Sequence, residues 1–156
     1  MFSNGALFNK ERTHRQRLWR IWGDGPLLYV LGMNPSTADE EVNDPTVERC
    51  ERRARRMGYG GLVMINMMDV VETDSKKLDQ METGYRCSEA NVEELLSAID
   101  LAANGRADIL CGWGKPGQKY GPVAWLATQA NRSGVTLFCL KRNKDGSPAH
   151  PLYQPY

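Results

Sequence analysis

Asn34, Pro35, Ser36 and Thr37 follow the apolar stretch Leu27-Leu28-Tyr29-Val30-Leu31, with only Gly32 and Met33 between. A carboxamide that both donates and accepts, a proline that fixes the turn and two hydroxyls beside open backbone N–H groups suit a loop that receives a polar ligand. A plain strand-to-helix connection would also use Pro and Ser. His150 sits in a second loop, Ser147-Pro148-Ala149-His150-Pro151-Leu152-Tyr153, where the two prolines restrict its backbone. An imidazole held stiffly in this way can donate to a developing anion or titrate near neutral pH. Asp44, directly before Pro45, can cap a helix, and a carboxylate there can also act as a base toward water. Asp44 and His150 are therefore candidate catalytic residues, and Asn34 heads the candidate ligand loop. Met33, Pro35, Ser36, Thr37, Asn66, Trp113, Gly114 and Tyr153 are candidate ligand contacts.

Trp113 lies between Gly112 and Gly114. It can serve the core or stack on a base, and the glycines permit close backbone approach in either case. Arg49, Arg52, Arg53, Arg55 and Arg56 share one helical face, interleaved with Glu48 and Glu51. The pattern reads as a solvated, ion-paired face, and Arg49, Arg52, Arg53 and Arg56 are also placed to follow a phosphate backbone. The polar stretch around Thr73 and Asp74 is a connection or a cover for the site.

Several elements must hold these residues. Trp19 and Ile21 alternate with Arg17 and Arg20, and Gly23-Asp24-Gly25-Pro26 gives a tight turn before the next apolar run. Residues 15–22 and 27–33 thus read as an N-terminal hairpin, although Leu18, Ile21 and Trp22 also share a helical face. Asp44 and Pro45 open a helix with Val47, Cys50, Ala54 and Met57 on one side and Gly58 at its end. The run 62–66 is a buried strand, Ser88 caps a helix ended by Gly105, and 108–111 is the next strand. A helix from Pro122 through Ala130, ended by Gly134, precedes a last strand over 135–140.

This alternation predicts an α/β fold of three layers, a mainly parallel sheet with helices on both faces. Ligands bind such sheets beyond the carboxyl ends of the strands. Asn34, Asn66, Trp113 and the segment after Leu140 all follow strand ends, so four separate stretches are expected to meet in one crevice.

The chain has 156 residues, enough for a single domain, 1–156, that buries about 70% of its unfolded surface without disulfides. A net charge of +1 argues against a purely electrostatic nucleic-acid binder. Cys50, Cys87, Cys111 and Cys139 have no C-x-x-C spacing, and His14 and His150 are the only histidines, so neither a metal nor another cofactor is expected. The chain shows no signal-like start or membrane-spanning run, which predicts a cytoplasmic protein with no membrane partner. It also lacks the P-loop, H-E-x-x-H and G-x-S-x-G motifs.

Taken together, Asn34-Pro35-Ser36-Thr37-Ala38-Asp39, Asp44-Pro45-Thr46, Gly58-Tyr59-Gly60-Gly61, Asn66, Thr73-Asp74, Trp113-Gly114, Lys144-Asp145-Gly146 and His150-Pro151-Leu152-Tyr153 resemble a bacterial and phage family known as a domain of unknown function, number sixteen-forty-three. The resemblance runs from about residue 15 to residue 153. Glu72 and Ser75 stand where arginine and proline usually flank the Thr-Asp pair.

The layout more distantly resembles the uracil-DNA glycosylase superfamily: a Gly-x-Asn-Pro turn, an Asn ending the next strand, a glycine turn after the third and a His-Pro pair after the last. That resemblance implies a glycosylase-like fold, with Asn34 orienting the attacking water and His150 holding the departing base. Leu152 replaces the serine that usually follows the His-Pro pair, and no aromatic is evident for stacking on uracil. The expected function is recognition of a nucleobase, nucleotide or DNA, with hydrolysis of an N-glycosidic bond. The alternative is a non-catalytic module that binds nucleotide, nucleic acid or protein.

Overall fold

The computed structural model describes residues 2–156. Its centre is a five-stranded sheet of β1 (Ser3–Phe8), β2 (Arg15–Ile21), β3 (Leu27–Gly32), β4 (Gly61–Asn66) and β5 (Ala107–Cys111), in spatial order β1-β2-β4-β3-β5. The β3, β4 and β5 strands are parallel, with Leu31 opposite both Ile65 and Cys111. These are the three apolar runs, and their burial on both faces explains why they lack polar alternation.

The expectation of a mainly parallel sheet is corrected here, because β1 pairs antiparallel with β2 and β2 pairs antiparallel with β4, making the sheet mixed. The N-terminal hairpin is likewise β1 with β2, not 15–22 with 27–33. The turn at 23–26 fastens onto the start of β4: the N–H groups of Trp22 and Gly23 donate to the Gly60 carbonyl at 3.0 and 2.9 Å, and Gly60 N–H donates to Pro26 at 2.8 Å. The strands before and after this turn are thereby set on opposite sides of β4 rather than beside each other.

Among the described residues, six α-helices accompany the sheet: α1 (Pro45–Arg56), α2 (Ser75–Leu78), α3 (Thr83–Arg86), α4 (Glu89–Ala103), α5 (Gly114–Tyr120) and α6 (Val123–Arg132). Val47, Cys50 and Ala54 of α1 pack with Leu28, Val30, Leu62 and Met64 on one face. Leu95, Ala98 and Ile99 of α4 and Leu126 of α6 pack with Tyr29, Leu31, Val63, Ile65 and Ile109 on the other. The two-residue period of the strands divides these sets, giving three layers.

The helix ends follow their punctuation. Asp44 Oδ1 accepts the Val47 N–H at 2.8 Å, with Pro45 at the first turn, and the Ser88 hydroxyl accepts from Asn91. The run 135–140, expected as a strand, makes a single parallel bridge from Phe138 to Leu110, with the Cys111 N–H donating to the Phe138 carbonyl at 2.7 Å. It lies on the edge beside β5 and is only half buried, so one face of the run lacks the cover that would extend the ladder.

Candidate functional site

The order of β4, β3 and β5 puts the end of β3 between its parallel neighbours, so the chain leaves β3 in one direction toward α1 and β4 and later returns past it to β5. Such a reversal leaves a crevice at the carboxyl ends of the strands. A cavity of about 630 Å³ lies there, lined by Arg15, Met33, Asn34, Pro35, Ser36, Asp44, Asn66, Glu72, Trp113, Gly114, Lys115, His150 and Tyr153, among others. The four stretches named from the sequence meet in it. Thr37 does not line it and faces solvent.

Asn34 joins two loops. Its Nδ2 donates to the carbonyls of Glu72 at 2.8 Å, Val70 at 3.2 Å and Pro35 at 3.2 Å, which fixes the amide orientation and leaves Oδ1 as an acceptor. Asn66, at the end of β4, is 3% exposed, and its Nδ2 has no partner. Gly32 makes room for this side chain, since a Cβ there would stand 2.8 Å from Asn66 Oδ1. A buried donor without an acceptor costs roughly 1–3 kcal/mol. An acceptor on a ligand would relieve that cost.

His150 opens a 3-10 turn (Pro151–Tyr153), where its Nδ1 accepts the Leu152 N–H at 3.2 Å. The proton of the neutral ring is therefore on Nε2, which makes this nitrogen a donor. Burial lowers the His150 pKa from its ordinary 6.5, with Asp44 opposing the shift. The loop is held against β5: Gly114 N–H donates to the Pro148 carbonyl at 2.9 Å, and Gly112 lies so close to Pro151 that a Cβ would meet the proline ring at 2.7 Å. Tyr153 stands at the rim, 78% exposed, with its ring centroid 5.7 Å from that of His150.

Asp44 fulfils its capping role through Oδ1 while lining the same cavity. Trp113 touches the cavity but is 6% exposed, belongs to the α4-side core and donates its indole N–H to Gln118 Oε1 at 2.9 Å. Its first duty is to the core.

The arginine face of α1 is occupied within the chain. Arg49 Nη2 donates to the Gln154 carbonyl at 2.6 Å, and Arg53 donates to the carbonyls of Gln154 at 3.0 Å and Pro155 at 3.2 Å. Arg49, Arg53 and Arg56 lie over the Tyr156 ring, while Arg52 pairs with Glu48 and Arg55 with Glu51. These groups hold the C-terminal segment and one another.

Sequence reasoning missed Arg15, Glu72 and Lys115 as cavity residues. Glu72 was noted only as a departure from the family pattern. Among the described residues, no cluster of three or more His, Cys, Asp or Glu could hold a metal ion, the four cysteines are free, and no helix is long and apolar enough to cross a membrane.

No curated protein and no solved structure matches this chain. Residues 15–152 match the model of a family described as "Protein of unknown function (DUF1643)", and this coverage of nearly the whole chain makes it a member of that family.

Proposed function

We propose that the cavity receives a nucleobase still joined to its sugar and hydrolyses the N-glycosidic bond. The observation that carries this reading is the meeting of Asn34, Asp44, Asn66 and neutral His150 in one cavity. The resemblance to the uracil-DNA glycosylase superfamily suggests the roles of Asn34 and His150 only.

The fixed Asn34 amide presents Oδ1 to a water, which adds to the sugar carbon as the carbon–nitrogen bond breaks. The departing base takes the bonding pair, and His150 Nε2–H donates to the oxygen where negative charge gathers. A proton from the water ends on the base, so the products are free base and a sugar hydroxyl. The Asp44 oxygen not used in the cap is the counter-charge for the cation-like sugar. Asn66 Nδ2, unpartnered in the cavity wall, supplies a donor for a base acceptor. A base within a duplex would first have to leave the stack.

A binding module is the second reading. It is favoured by the commitment of Asn34 Nδ2 and Asp44 Oδ1 to the chain's own backbone. The deciding experiment incubates wild-type protein with nucleosides, nucleotides and modified-base oligonucleotides and measures free base by mass spectrometry. Release from one substrate class supports hydrolysis; binding without release supports the module.

A further inference from the structure

Arg15 and Arg20, both on β2, are used in opposite ways. Arg20, 3% exposed, places every guanidinium nitrogen on a protein acceptor: Nε on Asn43 Oδ1 at 3.0 Å, Nη2 on the Asp39 carbonyl at 2.7 Å, and Nη1 on the carbonyls of Trp19, Glu40 and Gly5. Arg15, also 3% exposed, places only Nη1, on the Ala38 carbonyl at 2.9 Å. Its Nε is buried without a partner, and among the described residues Nη2 makes no hydrogen bond and no carboxylate is within ion-pair distance, the Asp44 carboxylate acting on its charge only from farther off. Among the other arginines with an unpartnered Nε, Arg53 and Arg86 place both Nη groups on oxygen acceptors and Arg17 has Glu94 at 3.8 Å, while Arg49, which also places a single Nη on a carbonyl, is only half buried and lies over the Tyr156 ring. Arg15 alone among these lines the cavity.

Its position depends on an irregularity in β2. Pairing with β1 passes from Leu7 opposite Arg17 to Phe8 opposite Arg15, so Gln16 is an extra residue in the strand. Such a bulge re-aims the side chains beyond it. Arg17 reaches Glu94 on the α4 side of the sheet, whereas Arg15 reaches the backbone of Ala38, whose side chain packs on the α1 side. Two residues apart on an unbroken strand, they would share a face.

A buried guanidinium is costly unless paired, and securing the Ala38 carbonyl takes only one of its N–H groups. Nε and Nη2 form the parallel fork that matches two oxygens of a phosphate or carboxylate. Asp44 lies in the same cavity, yet its Oδ1 is engaged by Val47 and the pair forms no ion bridge. Lys115 adds a second cation to the cavity wall.

We infer that Arg15 is an oxyanion subsite and that the cavity's ligand is a free nucleoside monophosphate, its phosphate on the Nε/Nη2 fork and its base toward Asn66 and His150. The base half rests on the proposed function above; the anion half does not. A volume of about 630 Å³ is of the size that encloses a small ligand, and a free mononucleotide carries its charge inside with it.

The test is calorimetric titration of wild-type, Arg15→Gln and Arg15→Lys proteins with deoxynucleoside 5′-monophosphates and the matching nucleosides, with ³¹P line broadening of inorganic phosphate in parallel. At least one monophosphate should bind wild type about ten-fold or more tighter than its nucleoside, the worth of a charged bidentate contact. The gap should close in Arg15→Gln and survive in part in Arg15→Lys. A gap that persists unchanged in Arg15→Gln overturns the inference, as does the absence of any gap in wild type, a comparison that needs no variant to fold. Phosphate broadening that depends on Arg15, with no nucleoside or nucleotide bound, keeps the subsite and removes the nucleobase reading. Wild type that binds neither phosphate nor any monophosphate removes the subsite.

Discussion

Asn34 Nδ2 lies 2.8 Å from the Glu72 carbonyl, so a side chain from the loop after β3 closes the loop after β4 as well. The bond joins folding to function, because the same amide that fastens the cavity wall keeps its oxygen turned away from that wall.

Replacing Asn34 with Ala frees three backbone carbonyls of a shared donor and should destabilise the fold by about 1–3 kcal/mol in urea denaturation. Asn34→Asp should cost at least as much near neutral pH, since an acceptor then faces those carbonyls. A stability within about 0.5 kcal/mol of wild type for both variants would mean that the amide does not fasten the loops.

His150 should titrate below 6.5, because burial disfavours its charged form. A folded pKa below the unfolded one means that the unfolded chain binds more protons in this range. The His150 contribution to stability is therefore complete above 6.5 and lost as pH falls through the folded pKa. NMR titration of the ring protons checks the sign, and a midpoint above 6.5 would contradict it.

Gly112→Ala should drive a methyl group into the Pro151 ring, where the available distance is 2.7 Å. The expected cost is about 1–3 kcal/mol, with weakened ligand binding as the His150 loop shifts. Unchanged melting and binding would show that the loop is not held by this contact.

The arginines of α1 should separate by what they touch. Arg53→Ala removes two carbonyl contacts and a ring contact and should lower stability by about 1–2 kcal/mol, while Arg52→Ala, breaking one exposed pair with Glu48, should change it by less than about 0.5 kcal/mol. Charge reversal at Arg52 should leave nucleic-acid affinity and its salt dependence unchanged in an anisotropy titration. A flattened salt slope would return this face to phosphate binding.

Much of this architecture was legible in the sequence because local chemistry dictates it. Asp44, Ser88, Gly105 and Gly134 bound their helices by capping or by adopting a positive φ, and the runs ending at Leu31, Asn66 and Cys111 are buried on both faces. Asn34, Asn66 and His150 could be placed in one crevice from strand order alone. What depended on distant partners was not legible. The turn at 23–26 announces a reversal but does not say which strand will pair, and β1, an edge strand with Asn4 and Gly5 in its middle, carries little apolar signal. Helix α5 starts at Gly114 and contains Pro116 and Gly117, which read as loop residues. Arg15 resembled any strand arginine, because its burial follows from a bulge at Gln16 that sets its face only once β1 is paired.

The central claim is tested most directly by His150→Ala, with base release and ligand affinity measured side by side on folded protein. If Nε2–H stabilises the leaving base, turnover should fall by roughly two to three orders of magnitude while affinity changes only a few-fold. If wild type releases no base from any substrate in the panel and the variant instead loses about 1–3 kcal/mol of ligand affinity, the cavity binds without hydrolysing and the glycosidic reading is wrong.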